Sequence, residues 1–378
     1  MVENLITKPI CLVAPTYVLG GKSVKETKEK YHLPYAHRML ANENPLGISP
    51  KAAEAIARAA AEGGSVYPDT NSTELRTKLA GMLDFAAYGM GIENLNVTAG
   101  AEHALNMIME IFLKEGDEVL ISAPSYSGYN RTIARAGGVK KTIPFLADGH
   151  CDFDGLLAAI TDQTKIVILC NPNNPTGCFE KKEKVQEFVK RFPKDKILIV
   201  DEAYIHFAPG GMEQSVYTEV CEDVNLIVTH TFSKIYGMAG IRVGYIISNR
   251  EISGYLRNYG GVRLSNVQQA AALAALDDQE FYDRTLAVTV EGRDYLIREL
   301  RALGYSPYES AANFVFCDLH MDKAYLDEAF MRRGILIRTN LEYPRISVGT
   351  MEQNRLFIEA LKEIREEKNK DAVHREGA

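Results

Sequence analysis

The 378-residue chain has no tryptophan, which by itself excludes nothing, and only six cysteines. These are Cys11, Cys151, Cys170, Cys178, Cys221 and Cys317, scattered and with no CxxC pair. That spacing argues against a zinc site or a disulfide framework and for a reducing compartment, so a cytoplasmic location is the default expectation. No apolar run approaches the roughly 20 residues that cross a bilayer. The mostly apolar stretch Pro9 to Leu19 carries two prolines, follows Glu3 and lacks a convincing cleavage site. It is expected to be a docked N-terminal arm and not a signal peptide. Basic excess is lacking too: 43 Lys and Arg stand against 50 Asp and Glu, a net charge of -7. That balance argues against nucleic acid as a partner. There is no fixed-period repeat and no low-complexity linker. What is present, 46% hydrophobic and 25% charged residues, is the ordinary balance of a globular protein. The length suffices for two domains.

The most informative stretch runs from Asn225 to Tyr245. A short apolar run, Leu226 to Val228, breaks into Thr231, Ser233 and Lys234. Two glycines and Arg242 follow, before a second apolar run from Val243 to Ile247. Small hydroxyls and a guanidinium beyond a buried strand suit a phosphate, and a lysine there can form a Schiff base with a carbonyl. Taken alone, the stretch also fits a surface loop with two cations.

Its neighbours follow the same pattern. Ser49-Pro50 opens a helix that ends near Gly63-Gly64. Asn96 to Thr98 reads as a strand that passes through Gly100 and Ala101 into a helix from about Glu102, where small residues leave backbone N–H groups open to an anion. Strand patterns at Glu118–Ser122, Lys165–Cys170, Ile197–Val200 and Leu226–Val228 alternate with helical ones at Tyr126–Ala136 and Lys182–Arg191. Short apolar runs separated by helices predict an α/β fold, with a mostly parallel sheet covered on both faces. After the helical stretches Val267–Leu276 and Phe281–Leu303 the texture changes to short strands and charged helices, a smaller α+β domain. The expected division is an N-terminal arm over residues 1–40, packing on the small domain or a dimer partner, a large domain over 41–276 and a small C-terminal domain over 277–378.

In an open α/β sheet, ligands sit at the carboxyl ends of the strands. Asn171-Pro-Asn-Asn-Pro-Thr-Gly177 follows the strand ending at Cys170, Asp201-Glu-Ala-Tyr204 the strand ending at Val200, and Thr231, Ser233 and Lys234 the strand ending at Val228. An amide, an acid with a phenol, and an amine with phosphate ligands make the inventory for pyridoxal 5'-phosphate: a lysine for the aldehyde, a carboxylate for the pyridine nitrogen and a phosphate cup. No metal set is expected.

These motifs resemble the fold-type I, aspartate-aminotransferase-like enzymes of the class I and II aminotransferases, and among them most closely the histidinol-phosphate aminotransferases. The matching stretches are Asn42-Glu-Asn-Pro-Leu-Gly47, Tyr67-Pro-Asp69, Asn171 to Gly177, Asp201 to Tyr204, Thr231-Phe-Ser-Lys234, Ala239 to Gly244 and Arg345 to Gly349, in the family's order across nearly the whole chain. The resemblance implies a pyridoxal-phosphate-dependent transferase working through a Lys234 Schiff base and a 1,3-proton shift, with an amino donor and a keto-acid acceptor as substrates. It further implies that Asp201 pairs with the pyridine nitrogen, that Asn174 and Tyr204 hold the ring oxygen and that Tyr126 stacks on the ring. Ala101, Glu102, Thr231, Ser233 and Arg242 would hold the phosphate, and Arg345 the substrate carboxylate. Tyr67 would reach the phosphate of the other subunit of a homodimer.

The chain departs from the family at several points. Ala99-Gly-Ala-Glu-His103 replaces the usual Asn-Gly-Ser-Asp-Glu, and His206 stands where an acid is expected, read as a surface substitution. Gly261-Val-Arg-Leu-Ser265 replaces Pro-Phe-Asn-Val-Asn, and six residues separate Arg338 from Arg345. Arg263 either binds an acidic side chain or phosphate or faces solvent, and Arg338 is a candidate for the distal end of the substrate. Departures on the substrate side imply that substrate choice has moved while cofactor chemistry stayed. The same scaffold also supports lyases, cyclases and decarboxylases. A non-catalytic effector-binding module is the reading of another class, and it lacks the basic DNA-binding segment such regulators carry.

Overall fold

A computed structural model describes residues 23–260 and 263–376. Residues 1–22, most of the expected N-terminal arm, lie outside the described residues, as do residues 261 and 262.

The centre of the molecule is a seven-stranded sheet. Across it the strands run Leu95–Thr98, Gly244–Ser248, Leu226–Thr231, Ile197–Asp201, Thr164–Cys170, Glu118–Ala123 and Val139–Pro144. All point the same way except Gly244–Ser248, which is antiparallel to both neighbours. The inner strands are continuous Val, Ile and Leu runs because both faces are covered. Successive side chains point to opposite faces, so Leu198, Val200, Leu226 and Val228 join one core. Ile197, Ile199 and Ile227, one step out of phase, join the other.

Helices Ala101–Phe112, Gly128–Arg135 and Arg250–Asn258 bury Ile108, Ile133 and Leu256 against one face. Helices Thr73–Met82, Lys182–Arg191 and Asn266–Leu276 bury Leu75, Phe188 and Ala272 against the other. The expected helix after Ser49 is Pro50–Gly63, with Ser49 Oγ accepting from Ala52 N at 3.2 Å. The edge strand Val139–Pro144 carries no apolar signature. Its exposed Lys140 and Lys141 guard the edge against pairing with another chain.

A second core gathers Leu296, Leu300, Leu326, Phe330, Phe357 and Leu361, with Phe330 and Phe357 stacked at 5.1 Å. Here His37–Met39 pairs in parallel with Ile335–Ile337, and Phe314–Phe316 antiparallel with Arg345–Ser347. The helix Val24–Tyr31 leans on Lys323–Arg332, where Tyr31 Oη donates to Glu328 at 2.6 Å. The last helix is Met351–Glu376. The two cores meet through buried polar bonds: Asn313 Nδ2 donates to Asn42 O at 3.0 Å and Ser347 Oγ to Asn42 Oδ1 at 2.9 Å.

Candidate active site

Three adjacent parallel strands, Thr164–Cys170, Ile197–Asp201 and Leu226–Thr231, end on the same side of the sheet. Register decides what meets there: Cys170 lies beside Asp201, and Asp201 beside Thr229. Beyond these ends opens a pocket of about 350 Å³, closed on its far side by Ala41, Asn42, Glu43 and Arg345. Of the candidate residues, the pocket wall includes Lys234, Asp201, Tyr204, Asn174, Tyr126, Ala101, Glu102, Thr231, Ser233, Arg242 and Arg345.

Asp201 is buried at the pocket floor. Its Oδ2 accepts from Tyr129 Oη at 2.7 Å, and its Oδ1 from Thr229 Oγ1 at 3.2 Å and Ala203 N at 3.3 Å. Burial raises its pKa, while the bonds from Tyr129 and Thr229 pull it back. Among the described residues this carboxylate has three donors and no cation in contact, an arrangement that suits a positively charged group arriving from the pocket.

Lys234 follows the next strand. Its Nζ donates to Ala41 O at 3.3 Å and lies 5.6 Å from the Tyr204 ring centroid. Burial, and then the charge of Arg345, push the ammonium down to about 8, against the pull of Glu43. The amine is therefore available as nucleophile and base near neutrality. Tyr204 Oη accepts from Asn42 Nδ2 at 3.1 Å and Asn174 Nδ2 at 3.2 Å, leaving its proton to point elsewhere. Arg345 Nη1 donates to Asn174 Oδ1 at 2.6 Å and Nη2 to Leu40 O at 2.9 Å, with the guanidinium over Phe314. Those bonds fix the plane of a fork suited to a carboxylate.

At the other end of the pocket, Thr231 Oγ1 and Ser233 Oγ lie 2.9 Å apart, beside the start of helix Ala101–Phe112. Gly100 precedes that helix with φ +87°, and a Cβ there would stand 2.6 Å from Arg242 Nη2. Only glycine lets the guanidinium lie against the helix start. Two hydroxyls, a helix N-terminus and Arg242 form a cradle for a dianion, and Lys234 and Asp201 stand deeper in. The residues present fit pyridoxal phosphate.

The structure leaves other candidates outside this wall. Tyr67 is 92% exposed and Arg263 is exposed, while Arg338 is buried with its backbone paired to Arg345. His206 is not the surface substitution the sequence suggested: it is buried, with Nδ1 3.1 Å from Tyr282 Oη. Since neither His206 nor Arg263 lines the pocket, two of the departures that implied an altered substrate choice stand away from it. Sequence reasoning assigned no role to Tyr129, Asn42 or Glu43. Tyr129 could have been found from its place three residues after Tyr126. Among the described residues no cluster of His, Cys, Asp and Glu could hold a metal. The five described cysteines are free, and burial pushes the Cys170 thiol at the pocket wall up to about 12.

The pattern of the aminotransferase class I and II family matches residues 38–361. The chain belongs to this family. It is 33% identical to the histidinol-phosphate aminotransferase of Moorella thermoacetica over 375 residues, covering 96% of this chain and 95% of that protein. It is 35% identical to histidinol-phosphate aminotransferase 1 of Bacillus cereus strain ZK / E33L, covering 91% and 93%. Among solved structures, the histidinol-phosphate aminotransferase of Sinorhizobium meliloti in complex with pyridoxal-5'-phosphate superposes with a TM-score of 0.82 at 30% identity, covering 94% of this chain and 96% of that one. An aspartate aminotransferase of Thermus thermophilus with maleate, 23% identical, shares the fold with a TM-score of 0.83, covering 95% and 99%. The chain is thus a pyridoxal-phosphate-dependent aminotransferase of fold type I. As a transferase of this family it acts on small amino and keto substrates. No helix of the described residues is long and apolar enough to cross a membrane.

Proposed function

We propose that this aminotransferase moves the amino group of an amino-acid-like amine of the histidinol-phosphate type to an α-keto acid, with Lys234 as its working base. When bound, pyridoxal phosphate supplies an aldehyde for the amine and a ring that draws electrons from the α-carbon. Everything else falls to the chain. Lys234 Nζ would take the proton from the substrate α-carbon and return it on the far side of the 1,3-shift. Asp201 would hold a protonated ring nitrogen, and Tyr204 and Asn174 the ring oxygen. Tyr126 would cover the ring face. Thr231, Ser233, Arg242 and the backbone of Ala101 and Glu102 would bind the phosphate. Arg345 would take the carboxylate of the acceptor and orient its carbonyl toward Lys234.

The observation that carries this reading is the shared wall: Lys234, with its depressed pKa, and Asp201 and Arg345 line one pocket of about 350 Å³. We infer also that the enzyme is a cytoplasmic homodimer in which the exposed Tyr67 completes the partner's phosphate site. The arm, large domain and small domain would divide near residues 40 and 276.

The test is a half-reaction titration. Addition of histidinol phosphate, glutamate or phenylalanine to the yellow enzyme should convert it to the colourless amine form of the cofactor, with histidinol phosphate acting at the lowest concentration. Turnover of any of them without the amine form would favour a lyase or decarboxylase. A preference for another amine would leave the transaminase and change the donor.

A further inference from the structure

The segment that closes the far side of the pocket does more than cover it. Asn42 is buried and stands at φ +54°, a left-handed conformation that asparagine tolerates better than most side chains. Its N–H donates to Ser347 Oγ at 2.8 Å, and its carbonyl accepts from Asn313 Nδ2 at 3.0 Å. Its Oδ1 accepts from Ser347 Oγ at 2.9 Å, and its Nδ2 donates to Tyr204 Oη at 3.1 Å. Ser347 Oγ thus takes the backbone N–H as an acceptor and gives its one proton to Oδ1. That turns the amide N–H group toward Tyr204.

A second arm reaches the same phenol. Arg345 Nη1 donates to Asn174 Oδ1 at 2.6 Å. A guanidinium can only donate, so Asn174 also turns its Nδ2 to Tyr204 Oη, at 3.2 Å. Both arms start on the strand Arg345–Ser347 of the second core. Residues two apart on a strand share a face, so Arg345 and Ser347 project together, while Ile346 between them joins the second core. Asn42, Asn174, Tyr204, Arg345 and Ser347 are all buried, and bonds in such a linked, water-poor chain strengthen one another.

We propose that Asn42 and Ser347 are positioning residues of the transamination: together with the Arg345–Asn174 arm they fill Tyr204 Oη with two N–H donors, so that the phenol meets the cofactor ring oxygen only as a donor. A donor at that oxygen favours its negatively charged form. The strand Arg345–Ser347 therefore acts on the ring from outside the first core, through two amides and one phenol. This role rests on the reading that Tyr204 holds the ring oxygen.

A pH titration of the visible absorption of the holoenzyme tests it. The variants are Tyr204→Phe, Asn42→Gly, Ser347→Ala and the double variant Asn42→Gly/Tyr204→Phe. Glycine keeps the positive φ at residue 42 without strain, so the amide alone is lost. Tyr204→Phe removes a hydrogen bond to a charged oxygen and should move the absorption change up by about one to two pH units. Asn42→Gly removes one of the two donors that polarise the phenol and should move it up by roughly half a unit. Ser347→Ala frees the amide to turn and should shift it in the same direction. The double variant should titrate with Tyr204→Phe, because Asn42 has nothing left to act through. Melting temperatures of the cofactor-free proteins check folding. If Asn42→Gly does not fold, Ser347→Ala and its own double variant with Tyr204→Phe carry the same comparison. An unmoved transition in Asn42→Gly beside a shifted Tyr204→Phe overturns the positioning role alone. So does a shift that persists in the double variant, since packing would then explain it. An unmoved transition in Tyr204→Phe overturns the placement of Tyr204 at the ring oxygen and the proposal with it.

Discussion

Tyr129 Oη donates to Asp201 Oδ2 at 2.7 Å, the shortest of the three bonds to that carboxylate. Tyr129 itself does not line the pocket, so its effect on chemistry passes through Asp201. Tyr129→Phe removes a bond that favours the charged carboxylate, and the Asp201 pKa must rise further. A hydrogen bond to a charged group is worth roughly 1.5–3 kcal/mol. The expected loss in kcat/KM is about tenfold or more. The absorption spectrum of the bound cofactor should titrate at higher pH than in the wild type, a shift that lost packing alone would not produce.

Lys234 gives a pH signature in the cofactor-free protein. Its folded pKa of about 8 lies below its ordinary 10.5. Between those values the unfolded chain binds the proton and the folded chain does not, so stability rises with pH across that window. Below pH 8 the penalty is fully present, on the order of 3 kcal/mol. Lys234→Met should therefore be more stable than wild type at pH 7, and the difference should shrink toward pH 10. Urea denaturation at the two pH values measures it. The same variant should lose transamination and fail to trap cofactor on borohydride reduction.

Gly100 is the sequence's most constrained position at the anion cradle. Gly100→Ala places a methyl against the Arg242 guanidinium and forces an L-residue into φ +87°. Cofactor affinity should fall about 10- to 100-fold, a penalty of roughly 1.4–2.8 kcal/mol. The melting temperature without cofactor should fall as well. Dialysis against phosphate buffer followed by the visible absorbance reads the affinity.

Arg345→Lys keeps the charge and loses the fork that bonds Asn174 and Leu40. The KM for an α-keto acid should rise about 100-fold, and Asn174 should lose its anchor. Steady-state kinetics with the keto acid varied would show it. If the KM is unchanged, the carboxylate does not bind at Arg345.

Much of this was legible in the chain because the strand-end motifs are local. Asn171–Gly177, Asp201–Tyr204 and Thr231–Lys234 each sit directly after a buried apolar run, and a parallel sheet brings such ends to one side. That the inner strands are buried on both faces was equally readable from their unbroken apolar runs. The edge strand Val139–Pro144 was not, because an exposed edge needs no apolar pattern. His206 read as a surface residue, because burial of a polar side chain beside Tyr282 depends on a helix 76 residues away in sequence.

The amino-acid order alone determined the chemistry on offer: an amine, an acid, an amide and two hydroxyls, each held a fixed few bonds beyond a strand. Only the tertiary structure decided what those groups feel. It buried Lys234 beside Arg345 and set Tyr129 under Asp201. It also brought Asn42 across from the second core to Tyr204. The reason is that proximity along the chain is covalent and local. Desolvation and charge–charge coupling depend instead on distances between segments far apart in sequence, and those exist only once the two cores have closed on one another.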